Sequence, residues 1–149
     1  MDFDKQQITG QMIVDMLNEH APPCVKTLGG RVLSFDENTN TMRMAFEATP
    51  EFCHSGDIVQ GGFITGMIDS AMAHAVFGVE KGWVILPTLE IKVSFLEAAH
   101  PGALIATAHV VRLGKSVAFL AGELHDEDGR LIATATSTTR VIRKPRQGG

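Results

Sequence analysis

The chain has 149 residues, of which 44% are hydrophobic and 20% charged, and its formal net charge is -4. These values are typical of one soluble globular domain, 1–149, that buries roughly two thirds of its unfolded surface, and they give no broad electrostatic attraction to nucleic acid. The two cysteines, with no signal peptide at the start of the sequence, favour a reducing cytoplasm.

The first predicted element is an N-terminal helix within residues 1–22, because its apolar residues have the spacing of one helix face. They are Ile8, Met12, Ile13, Met16 and Leu17. The prolines at 22 and 23 are expected to end this helix. Two strands follow, over 31–36 and 42–47, with a turn at 37–40 between them and a loop over 52–60 after them.

Residues 61–79 predict a long helix that is apolar on every side, and such a helix is buried. Its length raises the question of a membrane span. Asp69 and His74 near its middle, together with its glycines, argue against a span. We therefore expect the core helix of a soluble protein.

Four further strands are predicted over 88–96, 103–113, 116–125 and 131–142, and a basic tail over 143–149 is expected to fray. Strands on both sides of one helix in the sequence predict an α+β fold, in which an antiparallel sheet of five or six strands curves around the helix. One sheet cannot cover a helix on all sides, so we expect a partner chain to cover the rest.

Asp69 is the candidate catalytic acid. An ionised carboxylate among apolar residues costs several kcal/mol unless it is paired, hydrated or protonated, and strongly perturbed acids cluster at reaction sites. The alternative is a structural acid paired with a backbone group or a lysine.

Gly61 and Gly62 suggest a helix start with bare N–H groups, which favours binding of a polarised carbonyl. The alternative is close packing of the helix on the sheet. Gly62 and Asp69 are separated by seven residues, roughly 10 Å along a helix. One chain therefore cannot easily bring both to one carbonyl carbon, and we expect a composite site in which Gly62 faces Asp69 of a twofold-related subunit.

The segment Val59-Gln60-Gly61-Gly62, with an acid nine residues after Gln60, resembles the hotdog-fold thioesterases of the phenylacetate-pathway (PaaI-like) type. Their motif is His-Gly-Gly, followed by a helix that carries the catalytic acid. The strand over 87–96 and the turn over 112–116 are similar to that family as well, and the likeness covers roughly 28–142. Gln60 replaces the histidine of the motif, and His54 stands where many relatives carry asparagine.

The resemblance implies a hotdog fold and a cytoplasmic acyl-CoA thioesterase that needs no cofactor beyond the coenzyme A of its substrate. It also implies a homodimer, with two dimers forming a tetramer. The implied catalytic residues are Asp69, Gly62, Gln60, His54 and Thr88. The implied contacts with substrate or coenzyme A are Gly61, Phe63, Arg112, Gly114, Lys115 and Ser116. A basic tail with Arg140, Arg143, Lys144 and Arg146 is a further candidate for the phosphates.

Several alternatives remain open. Asp69 either attacks the thioester or deprotonates a water. The acyl group is aromatic or of medium length, in a pocket expected to use Phe52, Phe63, Met67 and Trp83. A hydratase-dehydratase with His54 and Asp69 as acid and base, or a noncatalytic acyl-CoA binding protein, is the alternative function. No metal-binding pattern is present in the sequence, and we expect no metal.

Overall fold

Six antiparallel strands and one long helix form most of the chain in the computed structural model, which describes residues 8–144. The helices are α1 (Gly10–Glu19), α2 (Pro23–Thr27) and α3 (Gly61–Glu80). The strands are β1 (Arg31–Asp36), β2 (Thr41–Ala48), β3 (Cys53–Ser55), β4 (Ile58–Val59), β5 (Thr88–Phe95), β6 (Gly102–Leu113), β7 (Val117–Asp126) and β8 (Leu131–Arg140).

The main sheet has the strand order β1-β2-β6-β7-β8-β5, and every neighbouring pair is antiparallel. Strands β3 and β4 form a separate hairpin just before α3. This arrangement confirms the predicted α+β class, with six strands and one long central helix. Strand β5 lies at one edge of the sheet, beside β8, so its other edge is not paired within the described part of the chain.

Small residues on the inner face of the sheet allow α3 to approach closely. Ala106 and Ala108 of β6 are fully buried. A Cβ added to Gly122 of β7 would lie 3.0 Å from Ile68 Cγ2 and 3.2 Å from Met72 Cγ, so a larger residue at 122 would push the helix away.

The opposite side of α3 is covered in part by the chain's own N-terminal region. A Cβ added to Gly66 would lie 3.6 Å from Leu28 Cδ1, and the Phe35 ring occupies the space beside Gly78. One stripe is left without full cover: Gly62 is exposed, and Gly66, Asp69 and Ala73 are only half-buried. These four positions follow one helix face, so a single chain leaves this stripe of the helix partly uncovered.

Helix α1 lies within residues 1–22 and begins after Thr9, whose side chain accepts a hydrogen bond from Met12 N–H; residues 1–7 lie outside the described residues. The N-terminal region differs from prediction in one place. Pro23 does not only end α1, because it is also the first residue of α2, a position that suits the fixed φ of proline.

The C-terminal tail also differs from prediction. Arg143 is held in place, because its Nη2 and Nε lie 2.6 Å and 3.1 Å from Glu80 Oε1 and its Nη1 donates to the Lys115 carbonyl at 2.6 Å. Fraying from residue 143 is therefore wrong at this residue. Residues 145–149, including Arg146, lie outside the described part of the chain.

Helix α3 is the one helix among the described residues that is long and apolar enough to cross a membrane by length and composition. In the folded chain its apolar side chains, such as Ile64, Met67 and Ile68, lie in the core of the domain. The length and composition of α3 are thus those of a core helix.

His74 of α3 is buried in a neutral form. Its Nδ1 lies 2.8 Å from the Ser70 carbonyl, which can only accept, so Nδ1 carries the proton. Its ring meets Phe77 and Trp83 edge-on, and its Nε2 has no hydrogen-bond partner among residues 8–144. Burial lowers the pKa of His74 from 6.5 to about 4.

This shift predicts a dependence of stability on pH. The unfolded chain binds a proton at His74 below pH 6.5 and the folded chain does so only below about 4, so the free energy of unfolding should fall by about 3 kcal/mol between these pH values. Denaturant unfolding at several pH values should show this loss, and His74→Leu should reduce it. The control is His20→Ala, which removes an exposed histidine. An equal acid dependence in wild type and His74→Leu would contradict the assignment.

Candidate active site

Asp69 lies on the incompletely covered stripe of α3, opposite the start of β5. Burial raises the pKa of its carboxyl, and the hydroxyl of Thr88, which donates to Asp69 Oδ1 at 3.1 Å, acts in the opposite direction. No ion pair within residues 8–144 includes Asp69. The carboxylate is therefore held by a neutral hydroxyl and keeps the basicity that a cation would remove.

Gln60 is the N-cap of α3. Its side-chain Oε1 accepts a hydrogen bond from Gly62 N–H at 2.7 Å, and its carbonyl accepts one from Phe63 N–H at 3.0 Å. The expectation of a bare N–H at Gly62 is wrong for this structure, because the cap occupies it. Gly61 N–H is the first-turn donor for which residues 8–144 supply no acceptor.

Glycine is needed at positions 61 and 62 for different steric reasons. A Cβ at Gly62 would lie 2.6 Å from Gln60 Oε1, so glycine there makes room for the cap. A Cβ at Gly61 would lie 3.1 Å from the Phe95 ring, which covers the start of the helix. Gly61 and Phe95 thus meet at one place, and Gly61, not Gly62, borders the adjacent cavity.

This cavity has a volume of about 410 Å³ and three walls. The β3–β4 hairpin supplies the first, α3 the second, and the segment that follows β5 the third. Most of its lining residues are apolar, such as Ile58, Ile64 and Leu96, although about half of the lining surface is polar; His54 and Glu97 are its titratable residues. An apolar hollow beside a helix N-terminus with a few polar groups is typical of a small-molecule site.

The hairpin that carries His54 is fixed to its surroundings. Val59 N–H donates to the Ala99 carbonyl at 2.9 Å, and His100 Nδ1 lies 3.0 Å from the Asp57 carbonyl. The exposed His54 ring has its Nδ1 2.7 Å from Ser55 Oγ. His54 therefore lines the cavity on an anchored loop.

The residues expected to form the acyl pocket lie away from the cavity beside Gly61. Phe63 stacks on Phe52, with ring centroids 4.3 Å apart, Met67 is fully buried, and Trp83 packs against Phe77. None of these four residues is among those that line the cavity beside Gly61.

The structure does not bring the predicted coenzyme A residues near Gly61 within one chain. Arg112, Gly114, Lys115 and Ser116 lie at the β6–β7 turn, which Gly114 N–H closes by donating to the Val117 carbonyl at 2.8 Å. The cavity adjoins the other end of β6. Any joint role of these two places needs a second chain.

The sequence and the fold both have relatives among known proteins. The sequence model of the thioesterase superfamily matches residues 56–133, which include β4, α3, the strands β5 to β7 and the start of β8. The chain belongs to the thioesterase superfamily.

Two solved structures illustrate the relationship. A crystal structure from Ralstonia eutropha JMP134, described as a candidate thioesterase related to phenylacetic acid degradation, is 34% identical, with coverage of 87% of this chain and 98% of that one and a TM-score of 0.77. The PaaI protein of the E. coli phenylacetic acid degradation operon is 21% identical, with coverage of 87% and 91% and a TM-score of 0.75, which shows a shared fold.

A curated relative extends the comparison to an archaeon. A candidate esterase of Saccharolobus solfataricus is 25% identical over 130 residues, which are 87% of this chain and 91% of that protein. Membership of the thioesterase superfamily rests on the family match and on the 34% identical Ralstonia eutropha structure, which this chain covers over nearly its whole length.

The Thr88–Asp69 contact generates a prediction. Because the Thr88 hydroxyl lowers the pKa of Asp69, Thr88→Val should raise that pKa further. A carboxyl ¹³C NMR titration of labelled aspartate measures it. Thr136→Val, on the neighbouring strand β8, is the control and should leave Asp69 unchanged. An equal Asp69 titration in wild type and Thr88→Val would refute the role of this hydrogen bond.

Proposed function

We propose that the protein is an acyl-CoA thioesterase that hydrolyses an aromatic or medium-chain acyl-CoA to the free acid and coenzyme A. The observation that supports this most is Asp69, a half-buried carboxylate with a raised pKa and a hydroxyl partner, on a helix whose N-terminus borders a cavity. Membership of the thioesterase superfamily supports the same reaction class.

In the proposed reaction Gly61 N–H polarises the thioester carbonyl. It is the unoccupied donor at the start of a helix of 20 residues, where the helix dipole favours negative charge on the carbonyl oxygen. Asp69 either attacks the carbonyl carbon or removes a proton from the attacking water, with Thr88 orienting the carboxylate or the water. His54 on the cavity wall and Gln60 at the cap are helpers of this machinery.

Both groups cannot act on one thioester within one chain. Gly61 and Asp69 are eight residues apart, roughly 12 Å along the helix. Strand β5 offers a way to join two chains, because it is an edge strand with large exposed apolar residues: Leu89 is 60% exposed and Phe95 is 52% exposed. Exposed apolar edge strands tend to pair with another strand.

Antiparallel pairing of two β5 strands about a twofold axis would complete the site. Thr88 and Asp69 lie at one end of β5, and Phe95 and Gly61 lie at the other. Reversing the second strand would bring Gly61 of one protomer beside Asp69 of its partner; the sequence predicted a composite site of this kind with Gly62, and we propose it with Gly61.

Charge supports the same pairing. Near the Phe95 end lie Asp57, Glu97 and the acidic β7–β8 turn. Arg130 connects Glu97 to Asp126 of this turn and donates to the Ala98 carbonyl at 3.2 Å, and Asp57 pairs with His100. Near the Thr88 end the charged residues are mainly basic: Arg112, Lys115, Arg140, Arg143 and Lys144. Antiparallel pairing sets the acidic end of each chain beside the basic end of its partner.

This dimer also gives a role to the β6–β7 turn. Lys115 and Arg112, with Gly114 and Ser116 between and beside them, would approach the coenzyme A phosphates of a substrate bound at the partner's Gly61. We infer a cytoplasmic homodimer that forms a tetramer as a dimer of dimers and that uses no cofactor of its own.

The first test is release of free thiol from a panel of acyl-CoA thioesters. Wild type should release thiol, and Asp69→Asn should lower kcat at least about 100-fold while still binding substrate, because the amide cannot act as base or nucleophile. Hydration of an enoyl thioester without thiol release would favour the hydratase alternative with His54, and binding without turnover would favour the noncatalytic binder. An unchanged rate in Asp69→Asn removes Asp69 from the mechanism.

A second test addresses the composite site. Gly61→Pro removes the N–H, and Asp69→Asn removes the acid, so each variant should be inactive alone. After subunit exchange at equal concentrations, half of the dimers are hybrids with one intact site, and about a quarter of wild-type activity should return. No recovery, despite exchange verified by native mass spectrometry of size-tagged chains, would refute the composite site.

A further inference from the structure

The cavity beside Gly61 has an unequal distribution of charge that bears on the substrate. Among residues 8–144 its lining contains one carboxylate, Glu97, and no lysine or arginine. Most of the other lining residues are apolar, including Ile58, Ile64 and Leu96, although about half of the lining surface is polar. The cavity thus suits an uncharged group and is unfavourable for an anion.

Glu97 is held in position by its neighbours. Leu96 N–H and Glu97 N–H both donate to the Ile132 carbonyl, at 2.8 Å and 3.2 Å, which fixes the segment against the start of β8. The nearest cation to its carboxylate is Arg130, with Nη1 3.9 Å from Glu97 Oε2. The side chain of Glu97 is 52% exposed, so solvent weakens but does not abolish its field.

Arg130 does not neutralise this charge. Its Nε lies 3.2 Å from Asp126 Oδ2, and its backbone N–H donates to Asp126 Oδ1 at 2.9 Å, so its stronger partner is Asp126. One guanidinium therefore faces two carboxylates, and a net negative charge remains at the wall of the cavity.

The same charges orient the substrate. Coenzyme A carries several negative phosphates, and Glu97, Asp57 and Asp126 would repel them at this end of the chain. The partner's basic end, beside Gly61 in the paired arrangement, would attract them. The acyl part of the thioester is then left to enter the cavity.

We propose that this cavity receives the acyl group and that Glu97 selects against acyl groups that end in a carboxylate. The substrates are then CoA thioesters of uncharged monocarboxylic acids, aromatic or aliphatic, and the mono-thioesters of dicarboxylic acids are excluded. This inference rests on the proposed function and names the substrate class of that site.

The test compares two thioesters of equal chain length that differ in a terminal carboxylate, hexanoyl-CoA and adipyl-CoA. The quantity measured is the ratio of kcat/KM for hexanoyl-CoA to that for adipyl-CoA. Wild type should strongly prefer hexanoyl-CoA. Glu97→Gln should lower the ratio about fivefold, since removing one like charge near a carboxylate changes the interaction by about that factor, and Glu97→Lys should lower it further.

The matched control is Glu127→Gln, which removes the same charge from the β7–β8 turn at the same end of the molecule but not from the cavity wall. It should leave the ratio within about twofold of wild type. Thermal unfolding of all variants shows that each is folded. An unchanged ratio in both Glu97 variants, or an equal change in the control, overturns the proposal.

Failure of the proposed function gives a different result. If wild type hydrolyses neither thioester, both stay intact as ligands. Calorimetry then measures the dissociation constant of each thioester, and the ratio of these two constants replaces the ratio of kcat/KM. A Glu97-dependent ratio of dissociation constants would support the acyl site in a protein that is not a hydrolase. Absence of binding by either thioester overturns both proposals.

Discussion

The need to enclose an apolar helix of 20 residues governs this structure. The sheet covers one side of α3, through small residues such as Gly122, and the N-terminal region covers another, through Leu28 and Phe35. The stripe that remains carries Asp69. Asp69 is therefore buried enough for its pKa to be raised and exposed enough to contact a ligand. Neither a fully buried nor a fully exposed position gives both properties.

Strand β5 links this constraint to the proposed chemistry. It connects the two ends of the site, since Thr88 holds Asp69 at one end and Phe95 covers Gly61 at the other. It is also the free edge of the sheet. An edge strand that carries the two halves of a site at its opposite ends brings them together only by antiparallel pairing with the same strand of a second chain. Assembly and catalysis would then depend on the same eight residues.

The sequence predicted the parts of this structure that follow from local pattern. Alternating apolar and polar residues predicted β2 and β5, and a charged residue within an apolar helix made Asp69 a candidate. Both signals depend only on residues that are close together in the sequence. The cavity walls could not be predicted in this way. Phe95 has the spacing of a core residue, and only the crossing of α3 over the end of β5 places its ring on Gly61. The sequence did not predict that Gln60 caps Gly62 N–H. Either the glutamine side chain or a ligand can accept from this N–H, and the sequence does not show which of the two does so.

The glutamine at position 60 has a consequence for the proposed reaction. Because Oε1 is bonded to Gly62 N–H, the orientation of the amide is fixed, and carbonyl polarisation is left to Gly61 N–H. Neither group titrates near neutral pH. In the proposed reaction Asp69 contributes an acid limb to the pH profile, because its carboxyl must be ionised to act as base or nucleophile. Because burial raises its pKa, activity would be lost as pH falls through a value above that of an ordinary aspartate.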